Sequence, residues 1–470
     1  MWLTRSFFIV LWGTITALLM KKPQVPQEFP VDSALLSFSP SKQTADTTAV
    51  ILNWSRFPNV VRIVSLLCLP ELENTLASIH IWNNSPNRIL KEDFAECPPD
   101  RLQITNSPSN LYFQARFLAC AEATTPFCFI QDDDYLVSPE IIQTLRSRFS
   151  NDSVSTIYLS PPHEVMSTIL KRIHVKSKIH TSFAWLGYGA IMRRTQARDF
   201  LALMQHLNVS EDEMKMADNY YALLANVYPE VWFDQGIELG GGQAFTQGAE
   251  GDERNNKHIA QAAKYLDEII NCTSTLCISQ PVPFTSLDDQ MLSSVYRAPC
   301  VGSQCLLETN ISLLPSTQID VGSANQVLEI EKVNRKSFKL NDTEDFLLHP
   351  PSHAVDGNPQ TGFCIPKGVR KGDTIEIDLL GAVAKSRQAE VVFLVDREVR
   401  SILIAAATLQ FRGNDEWFES RTSFTCVSKG HDLHECSAST PLTRFSAFRI
   451  FFQRAIERRG CLQEIWMREQ

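Results

Sequence analysis

Three consecutive carboxylates, Asp132-Asp133-Asp134, close the mostly apolar run Phe127-Cys128-Phe129-Ile130-Gln131 and lead into Tyr135-Leu136. Adjacent like charges repel and resist desolvation, so a buried strand ending in such a cluster calls for a neutralising cation. Hard divalent ions take carboxylate oxygens and share the rest of their shell with phosphate oxygens. In open α/β sheets, ligands settle just beyond the carboxyl ends of the strands. The stretch reads as a metal–diphosphate site, with an acidic surface turn as the alternative, because Asp is common in turns. A second candidate carboxylate, Asp218, follows Ala217 and opens a helical run over 221–225. From the residues alone it reads as the cap of that helix. His258 is a further metal or phosphate candidate, with a surface helix His as its alternative.

The elements that must position these residues alternate. Residues 48–54 predict a buried strand ending in the turn Ser55-Arg56-Phe57-Pro58, followed by a helix over 60–67. Residues 78–82 predict a second strand, ending in Asn83-Asn84-Ser85-Pro86. A helix over 111–122 leads into the Phe127 strand, and 155–159 predicts another. Strands alternating with helices give a parallel, doubly wound α/β sheet. Arg56, Asn83, Asn84 and the Asp cluster then stand at successive carboxyl ends, as a nucleotide crevice requires. Lys171, Arg172, His174, Lys176, Lys178 and His180 predict a solvated basic loop, or else a grip on an anionic acceptor. Gly240-Gly241-Gly242 to Gly251 predicts a mobile loop, a lid for the crevice.

At 470 residues the chain has room for two or three domains, and a net charge of −9 without a basic stripe argues against nucleic acid as a partner. Phe7 to Met20 is an uncharged, largely apolar run between Arg5 and Lys21-Lys22. It is short for a full span and is followed by no small-x-small cleavage site. The expectation is an uncleaved signal anchor over 1–22 and a Pro-containing stem over 23–47. That places the chain as a type II protein in the Golgi or endoplasmic reticulum membrane, with a secreted form as the alternative. Sequons at Asn53, Asn83, Asn151, Asn208, Asn271, Asn310 and Asn341 agree with this compartment. Asn53 and Asn83 are expected to stay empty, because a glycan in the crevice would block it. The twelve Cys are an even number, and Cys272/Cys277, Cys300/Cys305 and Cys426/Cys436 have spacings that suit disulfides better than zinc. Cys68, Cys97, Cys120 and Cys128, in apolar surroundings, read as buried thiols.

The pieces Ile51-Leu52-Asn53-Trp54-Ser55-Arg56, Ile81-Trp82-Asn83-Asn84 and Ile130-Gln131-Asp132-Asp133-Asp134, with Arg116 sixteen residues before the first Asp, carry a resemblance. Roughly from residue 48 to 270, the chain resembles the exostosin-like glycosyltransferase domain, a metal-dependent nucleotide-sugar transferase of GT-A fold with a doubly wound mixed sheet. The resemblance implies a UDP-sugar donor and a glycan or glycoprotein acceptor. Arg56, Asn83, Asn84 and Arg116 would hold the nucleotide, supported by Asp132 and Asp133, and Asp134 would ligate Mn2+. Asp218 would act catalytically beside the reacting sugar, although Ala217 replaces the family's preceding Asp. Lys264 takes the place of an Arg near the diphosphate, offering charge without a bidentate fork. The stretch 183–192 resembles the acceptor-side strand. The implied activity is a hexosyl- or N-acetylhexosaminyltransferase that retains configuration. An inverting enzyme with Asp218 as general base and an inert glycan-binding scaffold are the alternatives.

Residues 271–314, with two Cys pairs, read as a connector. From 315 the pattern turns to short alternating strands without long helices. Ala354-Val355-Asp356-Gly357-Asn358, with 373–379 and the ending 447–465, resembles the discoidin-like (coagulation-factor C-type) sandwich. That implies an all-β, galactose-binding-like domain over 315–470 with a possible glycan contact. It also implies a bridge from Cys364 to Cys461; Cys426 is expected to pair with Cys436.

Overall fold

The β-branched and aliphatic run Thr47–Asn53 is buried along its whole length and forms β1, a central strand of a seven-stranded sheet. Its neighbours are β2 (Leu76–Asn83) and β4 (Phe127–Gln131), both parallel to it, and β3 (Leu102–Asn106) extends the edge beyond β2. After β4 the chain forms the two-residue β5 (Tyr135–Leu136), then β6 (Ile157–Ser160), and then β7 (Ile173–Val175) and β8 (Ile179–Thr181), a hairpin outside the large sheet. They are followed by β9 (Ala190–Arg193), β10 (Glu230–Phe233) and β11 (Ile237–Glu238). The sheet order is β10-β6-β9-β4-β1-β2-β3.

This is a computed structural model. It describes residues 44–149, 156–176, 178–241, 248–271, 284–290, 292–317, 321–338, 340–380, 384–385, 389–414, 416–420, 423–440 and 444–469, all within one compact unit. The expected anchor, nearly all of the stem, the Asn151 sequon, the Cys272/Cys277 pair and the middle of the glycine-rich loop lie outside these residues. No helix among them is long and apolar enough to cross a membrane.

β9 runs antiparallel to both β4 and β6, so the sheet is mixed rather than parallel throughout. Of the stretch 183–192, only its end is strand; the part before Ala190 is a turn. The helix Phe57–Leu67 carries Pro58 in its first turn, where no amide is needed. It buries Val60, Ile63, Val64 and Leu67 at helical spacing. The expected thiols are disulfides: Cys68–Cys97 anchors the end of that helix, and Cys120–Cys128 ties the helix Gln114–Glu122 to β4. Buried apolar surroundings suit a disulfide as well as a thiol, and sequence spacing could not separate the two.

The C-terminal half holds two antiparallel sheets sharing one apolar core. One contains, in order, Tyr296–Pro299, Leu306–Thr309, Thr374–Asp378, Ala447–Phe452, Ala407–Gly413 and Glu416–Glu419. The other contains Phe363–Ile365, Gly460–Glu469, Ala389–Val395, Leu433–Ser439 and Thr425–Gly430. Ile377, Phe411 and Phe448 from the first face Val391, Phe393 and Ile465 from the second. The first two strands lie inside the expected connector, so this half starts before residue 315. It also contains the helices Val327–Ser337 and Arg397–Ala406, against the expectation of strands without long helices. Cys300–Cys305, Cys364–Cys461 and Cys426–Cys436 are bridged, the last two directly across paired strands with Cα atoms 4.0 Å apart.

The two halves meet across shared apolar surface. Phe233, at the end of β10, packs on Tyr296 and Phe346, and Val165 and Ile169 join the same core. Here the expected solvated basic loop holds only at its tip, where Lys176 and Lys178 are exposed. Lys171 is buried, with Nζ 3.0 Å from Glu331, and His180 is fully buried in the β7–β8 hairpin. Lys171 and His180 face neighbouring elements rather than water.

Candidate functional site

The carboxyl ends of β1 and β4, with the turn before β9, gather most of the singled-out residues. β4 delivers the three carboxylates, and each meets a different surrounding. Asp132 accepts from Arg116 Nη2 at 2.6 Å, and its backbone amide donates to Gly187 O at 2.9 Å. A Cβ on Gly187 would stand 2.3 Å from Asp132 Oδ2, so any side chain there would have to displace that carboxylate. Asp133, buried, accepts from Arg56 Nη1 at 2.8 Å. Asp134 stays 43% exposed at its side chain, with Oδ2 3.3 Å from Arg56 Nη1.

Arg116 is fully buried on the helix Gln114–Glu122 and reaches two ways. Besides Asp132 it lies 3.1 Å, through Nη1, from Asp218 Oδ2, close enough for ion pairing but not aligned as a hydrogen bond. Asp218 is the first residue of the helix Asp218–Leu224 rather than its cap, which is Ala217. Its alternative reading as a capping residue therefore falls. Asp218 Oδ1 and Arg116 Nε are buried without a hydrogen-bond partner among the described residues, an arrangement costly to leave unmet.

Two arginines thus face four carboxylates, and the excess negative charge shows in the proton affinities. Asp218 is pushed up to about 7 by burial, which Arg116 opposes and Asp132 reinforces. Burial and then Asp132 push Asp134 up to about 6, against Arg56. Asp133 is also raised, by burial ahead of its bond to Arg56. Burial works against the charge of both arginines, but their carboxylates outweigh it and hold them charged. The cluster is poised to take up positive charge, as protons or as a cation.

No three His, Cys, Asp or Glu side chains among the described residues converge into a metal site. A protein-only cage is not built here. The donor set fits a shared site instead. Asp134 is the exposed carboxylate at the cluster, and a hard ion on it would complete its shell from diphosphate oxygens and water.

Other expected site residues are placed differently. Asn83 is fully buried and saturated: Oδ1 accepts from Asn53 and the Ser85 amide, and Nδ2 donates to Asn87 O and Asn106 Oδ1. It knits β1, β2 and β3 together and offers nothing to a nucleotide. Asn84 likewise pins the loop before Arg116, bonding Tyr112 O and the Leu111 amide. Lys264 stands 61% exposed on the helix Ala249–Ile270 with Glu268, one turn on, 3.9 Å away, and is not brought to the cluster. His258 is buried on the same helix, with Nδ1 2.8 Å from Tyr220 OH.

Sequence reasoning missed Asn59, Tyr135 and Asp234. Asn59 Nδ2 donates to Gly240 O at 2.9 Å. Tyr135 OH donates to Asp234 Oδ2 at 2.6 Å, and burial raises Asp234 to about 6. Val231-Trp232-Phe233 running into Asp234 repeats the signal that marks β4, an apolar strand ending in a carboxylate. Nothing in the sequence marks Asn59.

No protein-family model matches the chain, and no curated protein matches it. Among solved structures it is similar to the mannosyltransferase PcManGT from Pyrobaculum calidifontis, in complex with GDP-Man and Mn2+. The identity is 13% and the TM-score 0.33, over 48% of this chain and 66% of that one. It is also similar to S. aureus TarS 1-349 in complex with UDP-GlcNAc, at 10% identity and TM-score 0.28 over 49% and 68%. A third likeness is a chitosan-binding module in complex with chitotriose, from a Paenibacillus sp. IK-5 chitosanase/glucanase. There the identity is 18% and the TM-score 0.18, over 26% and 86%. The chain spans just under two thirds of the mannosyltransferase's length. Likenesses this slight establish no family, and the site is read from its own geometry.

Proposed function

We propose that the chain is a glycosyltransferase of GT-A type that moves a sugar from a UDP-sugar to a glycan or glycoprotein acceptor. The observation that carries this is Arg116, buried between Asp132 and Asp218. It draws a carboxylate from the far helix into the cluster at the sheet's carboxyl edge. Four carboxylates share two arginines there, an excess of negative charge that a bound cation would neutralise.

Asp134, with the donor diphosphate, would hold Mn2+. That ion supplies Lewis-acid neutralisation of the leaving diphosphate. Arg56 offers a planar fork for phosphate at the rim. Arg116 fixes Asp132 and Asp218, and the turn at Gly187 brings bare backbone against Asp132 where a sugar ring needs room. Asp218, buried and proton-avid, stands where it can stabilise positive charge on the sugar or take a proton from the acceptor. The first role goes with retention and the second with inversion; anomer analysis of the product separates them. The wider proposal is a lumenal, membrane-anchored protein of the secretory pathway, whose C-terminal sheets form a galactose-binding-like domain contacting glycan.

The test is titration of UDP into wild type and Asp134→Asn, with Mn2+ and with EDTA, alongside turnover of UDP-sugars. The exchange keeps size and removes the charge that holds the metal. Turnover is expected to fall at least about a hundredfold, with donor affinity falling in parallel. Equal, metal-independent binding of UDP by both proteins would discard the metal site.

A further inference from the structure

Residues 234–241 leave the carboxyl end of β10 and cross the candidate site as a strap tied along its length. At its start the Asp234 amide donates to Ser160 O at 3.0 Å, and the side chain accepts from Tyr135. β11, within the strap, pairs antiparallel with β5, setting Ile237 opposite Leu136 and Glu238 opposite Tyr135. The Leu239 amide then donates to Asp134 O at 2.8 Å. At its far end Gly240 O accepts from Asn59, and Gly241 O accepts from Arg56 Nε. Both glycines have positive φ, 61° and 80°, which lets the carbonyls turn inward. The strap therefore grips the main chain of Asp134 and the side chain of Arg56 together.

One side chain of the strap reaches the antiparallel sheets by hydrogen bonding among the described residues. Gln235 Nε2 donates to Ser352 O at 2.8 Å and, more weakly, to Pro299 O at 3.4 Å. Two carbonyls face the same atom, so the amide nitrogen and not its oxygen must point there. Both acceptors sit on firm ground. Pro299 ends the edge strand Tyr296–Pro299, and Ser352 is buried in the turn Pro351–Ala354. The next residue, Gly236, has no room for drift, because a Cβ there would lie 2.1 Å from the Tyr135 ring.

We propose that Gln235 is a positioning residue through which the C-terminal sheets hold this strap, and with it Asp134 and Arg56, in the geometry that receives the donor. The inference rests on the donor-site reading above and adds a role for the C-terminal half. That half acts on the site without touching it. Loss of the Gln235 contacts frees the strap between its two ends. The Leu239 bond then opens more often, and Asp134 and Arg56 must be ordered again each time a diphosphate binds.

The experiment compares the full chain with Gln235→Ala and Gln235→Lys. Lysine restores a donor toward the two carbonyls. Amide exchange at Leu239 without ligand is expected to be about tenfold faster in Gln235→Ala, with amides of Ala389–Val395 unchanged. UDP affinity with Mn2+ should fall about five- to tenfold and recover in Gln235→Lys, while the thermal midpoint barely moves. A merely structural contact would lower the midpoint and leave affinity alone. Unchanged exchange at Leu239 overturns the proposal, and so does faster exchange with unchanged UDP affinity. If wild type binds no UDP under any metal, the donor-site reading falls, and the Leu239 exchange still decides whether Gln235 holds the strap.

Discussion

Two clusters of buried and half-buried charge lie against the seven-stranded sheet, and they are built on opposite plans. Where β10 meets the antiparallel sheets, Arg148 and Arg297 face Glu230 and Glu308. Arg148 lies 3.5 Å from Glu230 and 3.6 Å from Glu308, and Arg297 pairs with both as well. Two cations meet two anions, and each carboxylate has both partners. At the carboxyl edge, Arg56 and Arg116 face Asp132, Asp133, Asp134 and Asp218, and two of those carboxylates are driven up to about 6 and 7. The balanced quartet finishes an interface. The unbalanced cluster keeps an excess of negative charge over its two arginines. Charge balance, more than proximity, distinguishes the two clusters, and an excess of carboxylate is what a cation-binding site would show.

The hardest way to break this contrast is to remove the cation the unbalanced cluster depends on. Arg116→Leu leaves Asp132 and Asp218 facing each other with no buried partner, and breaking such a pair costs about 3–5 kcal/mol. The protein should protonate in part to escape, so the loss seen in urea should be larger at pH 8 than at pH 5. The same exchange at Arg297 still leaves Arg148 for both glutamates, and a smaller loss is expected. Equal losses at the two sites would mean that balance does not distinguish them.

A gentler probe uses the pH dependence of the site itself. Asp218 titrates near 7 in the folded chain and near the ordinary carboxylate value of about 4 when unfolded. Between those values the folded state holds a proton that the unfolded state has lost. Stability contributed here is therefore greatest below about pH 4 and declines as pH rises toward about 7. Asp134, raised to about 6, acts in the same direction over a narrower window. Asp218→Asn removes the larger part of this slope. Its urea midpoint should match wild type near pH 4 and exceed it at pH 8, while turnover falls by at least about a hundredfold. A wild-type midpoint that rises from pH 4 to 7 by as much as that of Asp218→Asn would show that the site holds Asp218 ionised throughout.

Much of the sheet could be read from the sequence because its central strands are apolar runs closed by polar residues. β1, β2 and β4 carry that signal, and the residues after them do gather at one edge. The edge strand β3 carries only a weak alternation in Leu-Gln-Ile-Thr-Asn and was missed. For the site, residue type was legible and side-chain direction was not. Asn83 stands where expected, but the register of three strands turns its amide inward, where Asn53 and Asn106 consume it. Arg116 was singled out as a nucleotide ligand, and its position between two carboxylates depends on a helix far away in the chain. The strap over 234–241 was invisible because its bonds are mostly to backbone, which sequence does not label. The early start of the antiparallel half was hidden by two short strands lying between disulfide cysteines and prolines, a pattern that also describes a linker.

The smallest expected effect sharpens the contrast from the other side. Lys264 was expected to stand near the diphosphate, where its charge would matter to turnover. The structure instead puts it in solvent on the helix Ala249–Ile270, in an i, i+4 pair with Glu268. Exposed pairs of this kind contribute about 0.3–0.5 kcal/mol, and salt screens them. Lys264→Ala should therefore leave donor affinity and turnover within about twofold of wild type and lower stability by no more than that pair's worth. Measured beside Arg56→Ala, it separates a positive charge that merely lies on a long helix from one held against the carboxylates. A hundredfold loss in Lys264→Ala would mean that the helix swings its exposed face over the donor, and the cluster of two arginines and four carboxylates would then lack a cation that belongs to it.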